Sequence, residues 1–177
     1  MTRLSISILA SPRTLHEVHH LVRRARDVLA TGCIVSVRPI GREAYRIVTL
    51  SSSRGYWKVG GLALAVRKGD YEAIHYAMVS KRGFRCSCVY SIRMSARADA
   101  VLESLGLPMV GSKYSLCKHV LASIAVLSAR GELDLRCREF KEALVKGLAV
   151  LYLAVEDADR VSRNVEVIKR ILVDRNG

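Results

Sequence analysis

Apolar residues recur at helical spacing near the beginning of the chain, between Ser11 and Gly32. Intervals of three and four residues separate them, which predicts a helix with one buried face. Ser11 can cap this helix and Pro12 suits its first position, while Gly32 predicts its end. The residues of the predicted buried face are Leu15, Val18, Val22, Ala25 and Leu29.

Short β-branched and aromatic runs follow, and Gly, Ser or Asp separates them. Runs of this length with turn residues between them predict an antiparallel meander of short strands. The middle of the chain is therefore expected to form a small sheet. Its predicted strands cover residues 34–37, 45–50, 56–59, 62–66 and 72–80.

Helical patterns return in the second half of the chain. The run over 96–105 predicts a short helix that Gly106 ends, and the apolar run over 120–127 predicts another. From Glu132 onward the spacing predicts a pair of helices, whose apolar faces either complete the core or form an exposed seam for a partner protein. The residues of these faces are Leu133, Phe140, Leu144, Leu148 and Leu151 in the first helix, and Val161, Val165, Ile168 and Leu172 in the second.

Together these elements predict an α+β fold, in which N-terminal and C-terminal helices flank a small antiparallel sheet. We expect an N-terminal helix over 1–32, a β/α unit over 33–131 with an insertion at 89–116, and a C-terminal helical pair over 132–177. With 177 residues, 50% of them apolar, the chain can bury a core. The apolar run at 147–155 is too short to span a membrane, so we expect a cytoplasmic protein without membrane association.

Four residues with metal-ligand side chains form two close pairs, Cys86 with Cys88 and Cys117 with His119. Residues two apart on a strand point to the same side, so the first pair can reach one ion from the end of an extended segment. The second pair suits a helix start, with Cys117 in the loop and His119 in the first turn. Three thiolates and one imidazole suit tetrahedral Zn²⁺, and four protein ligands leave no open position, which favours a structural ion. The alternative is that the cysteines are small buried apolar residues.

The order CxC, spacer, CxH at a helix start resembles the SWIM zinc-finger pattern. The segment Cys117–Ala122 is close to the usual wording of that motif, and the segment Tyr45–Val59 is similar to the strands that precede it. Between Cys88 and Cys117 lie 28 residues, more than the family usually shows. An inserted element is therefore expected between the two ligand pairs, and the helix after His119 is expected to be anchored by zinc.

The SWIM resemblance implies DNA binding, protein interaction, or both. SWIM proteins similar to the Shu-complex subunit act beside RecA-family recombinase paralogues in homologous recombination. The resemblance therefore implies a role in recombination or repair, with such a paralogue as a candidate partner. The chain has no Gln and two Asn, and this scarcity of thermolabile amides suggests a thermophile and, with the resemblance, an archaeal source.

The net charge of +13 is concentrated in the middle of the chain. Residues 32–98 include 12 basic and 3 acidic residues, a net charge of +9, and most of the aromatic residues lie there too. Such a surface favours nucleic acid, DNA rather than RNA by the resemblance, as a partner. Two alternatives stay open: a solvated basic surface without a ligand, and a protein–protein adaptor without its own nucleic-acid binding. The candidate nucleic-acid ligands are Arg54, Lys58, Lys81, Arg82, Arg85, Arg93, Arg97, Lys113 and Lys118.

Two further groups of side chains lie outside the CxC and CxH pairs. Residues 16–20 read HExxH, in which His16 and His20 would bind zinc and Glu17 would activate water in a metalloprotease. No third ligand is evident, so we favour surface histidines over a zinc hydrolase and expect that the chain is not an enzyme. Cys33 and Cys137 either form a disulfide or are two separate buried thiols, and separate thiols are favoured.

Overall fold

The computed structural model describes residues 7–51, 54–56 and 60–173. Its elements are α1 (Pro12–Ala30), β1 (Ile34–Ile40), β2 (Ala44–Leu50), α2 (Gly61–Arg67), β3 (Ile74–Ser80), β4 (Gly83–Cys86), α3 (Val89–Ser104), α4 (Lys118–Ala129), α5 (Arg138–Val155), α6 (Ala158–Arg163) and α7 (Val165–Leu172), with 3₁₀ turns at Tyr71–Ala73 and Gly111–Lys113. The strands pair antiparallel in the order β1-β2-β3-β4, and helices flank the sheet, which confirms the α+β class. None of the helices in these ranges is long and apolar enough to cross a bilayer.

The two faces of the sheet have different surroundings, because successive side chains of a strand point to opposite sides. On the inner face Ile47, Ala77 and Val79 are buried in the main core, where α4 contacts β3 and α5 contacts β4. On the outer face Arg46 and Arg85 are exposed. The sheet therefore covers the helical core with its inner face and presents charged residues to solvent on the outer one.

Helix α1 begins as predicted but buries a different stripe. Ser11 caps it, since Ser11 Oγ accepts a hydrogen bond from the Thr14 backbone N–H at 3.1 Å. The predicted buried face is only partly correct. Ala25 is buried as predicted, but Leu15, Val22 and Leu29 are 46%, 46% and 39% exposed, so the buried stripe is displaced by about one position. The two stripes are neighbours on the helix surface, and packing against α4 and α5 selects the second. The residues that are buried are Thr14, Leu21, Ala25 and Val28.

The strand predicted over 62–66 is wrong, because these residues lie in helix α2. Gly60 precedes the helix with a φ of 80°, a left-handed conformation that redirects the chain. A Cβ on Gly61 would lie 1.7 Å from the backbone oxygen of Tyr56, so the helix can start this close to the turn only with glycine there. Of the strand predicted over 56–59, Tyr56 lies in a turn and the rest lies outside the described residues.

The inserted element between the two ligand pairs is mainly helix α3, which is longer than the predicted 96–105. It starts directly after Cys88, whose Sγ accepts a hydrogen bond from the Ser91 backbone N–H at 3.5 Å. Cysteine is not among the usual capping residues, so the sequence indicated only the later, alanine-rich part. Gly106 follows the helix at a φ of 67° and ends it as predicted.

The C-terminal third differs from the predicted pair of helices, since the long helix α5 is followed by two short ones, α6 and α7. Asp157 caps α6 by accepting a hydrogen bond from the Arg160 backbone N–H at 2.9 Å, which separates α6 from α5. Helix α5 is buried on nearly every side. At Gly147 it approaches β4 so closely that a Cβ would lie 2.8 Å from the ring of Phe84. This contact places α5 beneath the strand that carries the CxC segment.

Candidate metal centre and adjoining basic surface

The CxC and CxH segments meet where β4, α3 and α4 begin or end. Cys86 is the last residue of β4, and Cys88 is the N-cap of α3. Cys117 is the N-cap of α4, and His119 lies in the first turn of that helix, as predicted. Between the two cysteines of the CxC segment, the Ser87 backbone N–H donates a hydrogen bond to the backbone carbonyl of Tyr76 in β3 at 3.0 Å, which keeps this stretch extended. The four side chains are thus positioned by regular elements rather than by a mobile loop.

The four ligand atoms lie close enough together to share one ion. All of them fall within 4.8 Å of one another, and all four residues are buried. Cys86 Sγ and His119 Nδ1 are 3.8 Å apart. Sulfur and nitrogen ligands at their usual zinc distances from a tetrahedral ion would be about 3.6–3.8 Å apart. Cys86 and His119 therefore have the spacing of two ligands in a tetrahedral site, and the Cys₃His set could hold a metal ion.

Each sulfur of the cluster also accepts a hydrogen bond from a backbone N–H group. The N–H of Cys88 donates to Cys86 Sγ at 3.4 Å. The N–H of Ser91 donates to Cys88 Sγ at 3.5 Å, and that of Val120 donates to Cys117 Sγ at 3.4 Å. The last two amides belong to the first turns of α3 and α4, where the helix dipole favours negative charge. The backbone therefore stabilises thiolates, the form of cysteine that binds metals.

Burial and hydrogen bonding act in opposite directions on the thiols. The hydrogen bonds that Cys88 receives from Cys117 and Cys86 lower the pKa of the Cys88 thiol. Burial raises the pKa of the Cys117 thiol well above its usual range. Burial thus opposes ionisation within the cluster, and a dication at the centre would supply the positive charge needed to ionise all three thiols.

His119 is held by its own helix and by a second histidine. Its backbone carbonyl accepts a hydrogen bond from Ser123 Oγ at 2.7 Å, and its ring centroid lies 4.5 Å from that of His75. Its Nδ1 faces the thiols, while its Nε2 is buried and has no hydrogen-bond partner within the described part of the chain. Burial, followed by the electrostatic effect of the neighbouring His119 ring, lowers the pKa of His75 to about 4. At neutral pH His75 is therefore an uncharged ring packed beside the cluster.

The HExxH segment of α1 forms no comparable cluster among residues 7–51, 54–56 and 60–173. His16 and His20 are exposed, and Glu17 accepts a hydrogen bond from Tyr90 Oη at 2.7 Å. Over the same ranges, the Cys₃His set is the one group of three or more His, Cys, Asp and Glu residues close enough to hold a metal. His16 and His20 thus belong to no group of this kind in this part of the chain.

The two remaining cysteines are separate thiols in the structure. Cys33 is fully buried, and its Sγ lies 3.0 Å from Thr31 Oγ1. Cys137 is half-buried at the N-cap of α5, and neither cysteine is in a disulfide. The structure therefore agrees with the favoured alternative, in which Cys33 and Cys137 are separate thiols and do not form a disulfide.

Two of the candidate nucleic-acid ligands are paired with carboxylates. The Arg54 guanidinium contacts Asp70 at 2.7 Å and Glu72 at 2.8 Å. The Lys81 ammonium contacts Glu43 at 2.6 Å. Because these carboxylates already compensate the two charges, Arg54 and Lys81 offer less attraction to a phosphate than an unpaired cation would.

Three other candidates line one groove. Arg82, Arg85 and Lys113 surround a groove of about 390 Å³ between the β3–β4 hairpin and the 3₁₀ turn at Gly111–Lys113, and no acidic residue lines it. We call this the hairpin groove. The structure thus brings residues from two distant parts of the sequence together into one cationic recess.

The remaining candidates are dispersed. Arg93 and Arg97 are exposed on α3. Lys118 lies beside the Cys₃His cluster, where burial and the nearby charge of Arg24 lower the pKa of its ammonium group. Lys58 lies outside the described residues. Arg93, Arg97 and Lys118 are not among the residues that line the hairpin groove.

Two exposed arginines of the sheet were missed by sequence reasoning. Arg38 on β1 lies directly opposite Arg46 on β2. The predicted strand covers only residues 34–37, whereas β1 continues through Pro39 to Ile40. Proline is tolerated in an edge strand, so the predicted strand could have been extended past Pro39. Pairing across the turn at 41–43 would then have placed Arg38 opposite Arg46.

Comparison with known protein families, curated proteins and solved structures finds no match to this chain. The likeness to SWIM zinc fingers therefore rests on the CxC and CxH residues and on the segment Tyr45–Val59 that precedes them.

Proposed function

We propose that Cys86, Cys88, Cys117 and His119 hold a structural zinc ion that joins β4, α3 and α4 in a SWIM-type module. The observation that carries this proposal is the buried Cys₃His cluster, whose ligand atoms all lie within 4.8 Å of one another. Four protein ligands fill a tetrahedral shell, so no position is left for water or substrate, and the site stabilises the fold instead of catalysing a reaction. On this proposal the chain is a cytoplasmic binding module and not an enzyme.

The module binds nucleic acid, DNA in preference to RNA, in homologous recombination or repair. The net charge of +13 and the hairpin groove, with its three cations and no acidic lining residue, support this part of the proposal. Cations that neutralise phosphates release counterions, which is the main source of affinity for nucleic acid without sequence preference. By the SWIM resemblance, the protein partner is a RecA-family recombinase paralogue.

A second function, that of a protein adaptor, is favoured by helix α1. Leu15, Val22 and Leu29 lie seven residues apart and are 46%, 46% and 39% exposed. An apolar stripe at this spacing is the pattern by which one helix packs against a partner helix. If the adaptor function is the principal one, the protein binds its partner through this stripe and needs no nucleic acid.

Fluorescence anisotropy of labelled single-stranded and duplex DNA separates these functions. The zinc-loaded protein is titrated at several salt concentrations, and the logarithm of affinity is plotted against the logarithm of salt. Several phosphate contacts predict a slope of about −0.7 per contact for single strands and about −0.9 for duplex. Loss of all binding at physiological salt would contradict the nucleic-acid function and leave the adaptor function. A variant with Leu15, Val22 and Leu29 all replaced by Ser would then test the adaptor function, because it should no longer bind the recombinase paralogue.

A further inference from the structure

The pairing register places three arginines in one row across the outer face of the sheet. Arg38 on β1 is opposite Arg46 on β2, Arg46 is opposite Met78 on β3, and Met78 is opposite Arg85 on β4. Residues directly opposite each other share a face of the sheet. The row therefore crosses all four strands, and we call it the arginine row.

Nothing within the sheet compensates the charge of this row. The four strands contain no Asp or Glu, and none of the ion pairs in the described ranges involves Arg38, Arg46 or Arg85. Like charges directly opposite each other on neighbouring strands destabilise a sheet. The pair Arg38 and Arg46 is thus an unfavourable feature of the free protein that a bound polyanion would relieve.

The rest of the outer face adds an aromatic ring and a fixed guanidinium. Tyr76 precedes Met78 by two residues, so it lies on the same face, and it is 49% exposed. The Arg85 guanidinium donates to Met78 Sδ from Nε at 3.1 Å and from Nη2 at 3.0 Å, which holds it along the sheet. Met78 and Arg85 also line the hairpin groove, so the arginine row continues into it.

The dimensions of this face favour a single strand over a duplex. Four strands about 4.8 Å apart give a face about 14 Å wide before side chains are added. The major groove of B-DNA is about 12 Å wide and admits a helix or a two-stranded ribbon. A sheet that combines exposed cations with an aromatic ring instead matches proteins that bind unpaired bases by stacking and phosphates by charge.

We infer that the outer face of the sheet binds single-stranded DNA, with Arg38, Arg46 and Arg85 contacting phosphates and Tyr76 stacking on a base. This inference rests on the proposed nucleic-acid function and specifies its surface and its ligand. It adds Arg38, Arg46 and Tyr76 to the interface and gives the arginine row a common role.

The test compares two doubly substituted variants that lose the same charge. In the first, Arg38→Gln and Arg46→Gln remove two members of the row. In the matched control, Arg26→Gln and Arg170→Gln remove two exposed arginines of α1 and α7, in the helical layer. Both pairs are surface substitutions, so the control variant should melt like the unsubstituted protein. The row variant should melt at the same or a slightly higher temperature, because it removes the repulsion between Arg38 and Arg46.

Anisotropy with a labelled single-stranded oligonucleotide gives the outcome. The row variant should lose at least about 10-fold in affinity, because two charged contacts disappear, and the salt slope should fall by about 1.4. The control should bind like the unsubstituted protein. Tyr76→Ala should lower affinity about 5-fold or more with the salt slope unchanged, because stacking involves no counterions.

Three results would overturn the inference. Equal losses in the row and control variants would leave the nucleic-acid function in place but show that only overall charge matters. Tighter binding of duplex than of single strands, unaffected by the row substitutions, would move the interface elsewhere. Absence of binding by the unsubstituted protein at physiological salt would remove the proposed function and this inference together, and row-dependent binding to vesicles of anionic lipid in that case would assign the face to a membrane surface.

Discussion

Two cysteines of equal burial allow the contribution of the metal site to be measured. Cys33 and Cys117 are both 0% exposed, so Cys33→Ala and Cys117→Ala remove the same atoms from equally buried positions. Cys33→Ala loses the contact of its sulfur with Thr31. Cys117→Ala loses the hydrogen bond from the Val120 amide and the weak one between its thiol and Cys88. Truncation with loss of a weak hydrogen bond costs about 1–2 kcal/mol in either variant.

On the proposed function, only Cys117→Ala also removes a zinc ligand. Binding of a structural zinc ion contributes about 10–16 kcal/mol to the folding of small domains. If the four ligands contribute equally, loss of one of them removes about 3–4 kcal/mol. The zinc-loaded Cys117→Ala variant should therefore melt about 5–15 °C below the Cys33→Ala variant. Thermal denaturation followed by circular dichroism, with a known zinc content, gives the comparison.

Removal of zinc provides the internal control for this prediction. With a chelator present, the Cys117 ligand has no ion to bind, and the two variants should melt at similar temperatures because only the truncation term remains. Equal melting temperatures for both variants in the presence of zinc would refute the assignment of Cys117 as a ligand. A difference that persists unchanged in the chelator would show that Cys117 stabilises the fold by packing alone.

Further predictions concern the candidate nucleic-acid ligands, the α5 contact and the HExxH segment. Arg54→Gln should weaken DNA binding less than Arg82→Gln in the same anisotropy assay, because two carboxylates already pair with Arg54; an equal or greater loss would mean that these ion pairs open on binding. Gly147→Ala should lower the free energy of unfolding by about 1–3 kcal/mol in urea denaturation without changing zinc content, since the added methyl overlaps a neighbouring aromatic ring; an unchanged midpoint would show that α5 moves aside at little cost. Substitution of both His16 and His20 by Ala should leave one zinc per chain by metal analysis, whereas loss of zinc or of a peptidase activity in that variant would establish a second, catalytic site.

The metal cluster could be predicted from the sequence because its spacing is local. Cys86 and Cys88 lie at a strand end, and Cys117 and His119 lie at a helix start, so short-range geometry already brings each pair to one side. The two pairs meet because β4 lies next to α4. This contact could be predicted because thiolates and an imidazole are ligands of the same tetrahedral zinc sites. The start of α3 at Cys88 was missed, since a cysteine cap carries no usual helix signal.

Features that depend on which neighbour packs against an element were less predictable. The stripes through Thr14 and through Leu15 on α1 are both apolar enough to be buried, and only the positions of α4 and α5 decide between them. The alternation of Leu and Ala over 62–66 satisfies a strand pattern as well as a short helix, and the close contact at Gly61 decides for the helix. Charge pairing was also inaccessible, because Asp70 and Glu72 lie 16 and 18 residues from Arg54 in the chain.

X-ray absorption at the zinc K edge of the purified protein tests the central claim most directly. We expect about one zinc per chain, with three sulfur ligands at about 2.3 Å, one nitrogen ligand at about 2.0–2.1 Å, and no oxygen ligand. That shell requires Cys86, Cys88, Cys117 and His119 together, since the HExxH segment could supply only nitrogen and oxygen. A shell of nitrogen and oxygen without sulfur, or a folded protein that binds no zinc, would contradict the account.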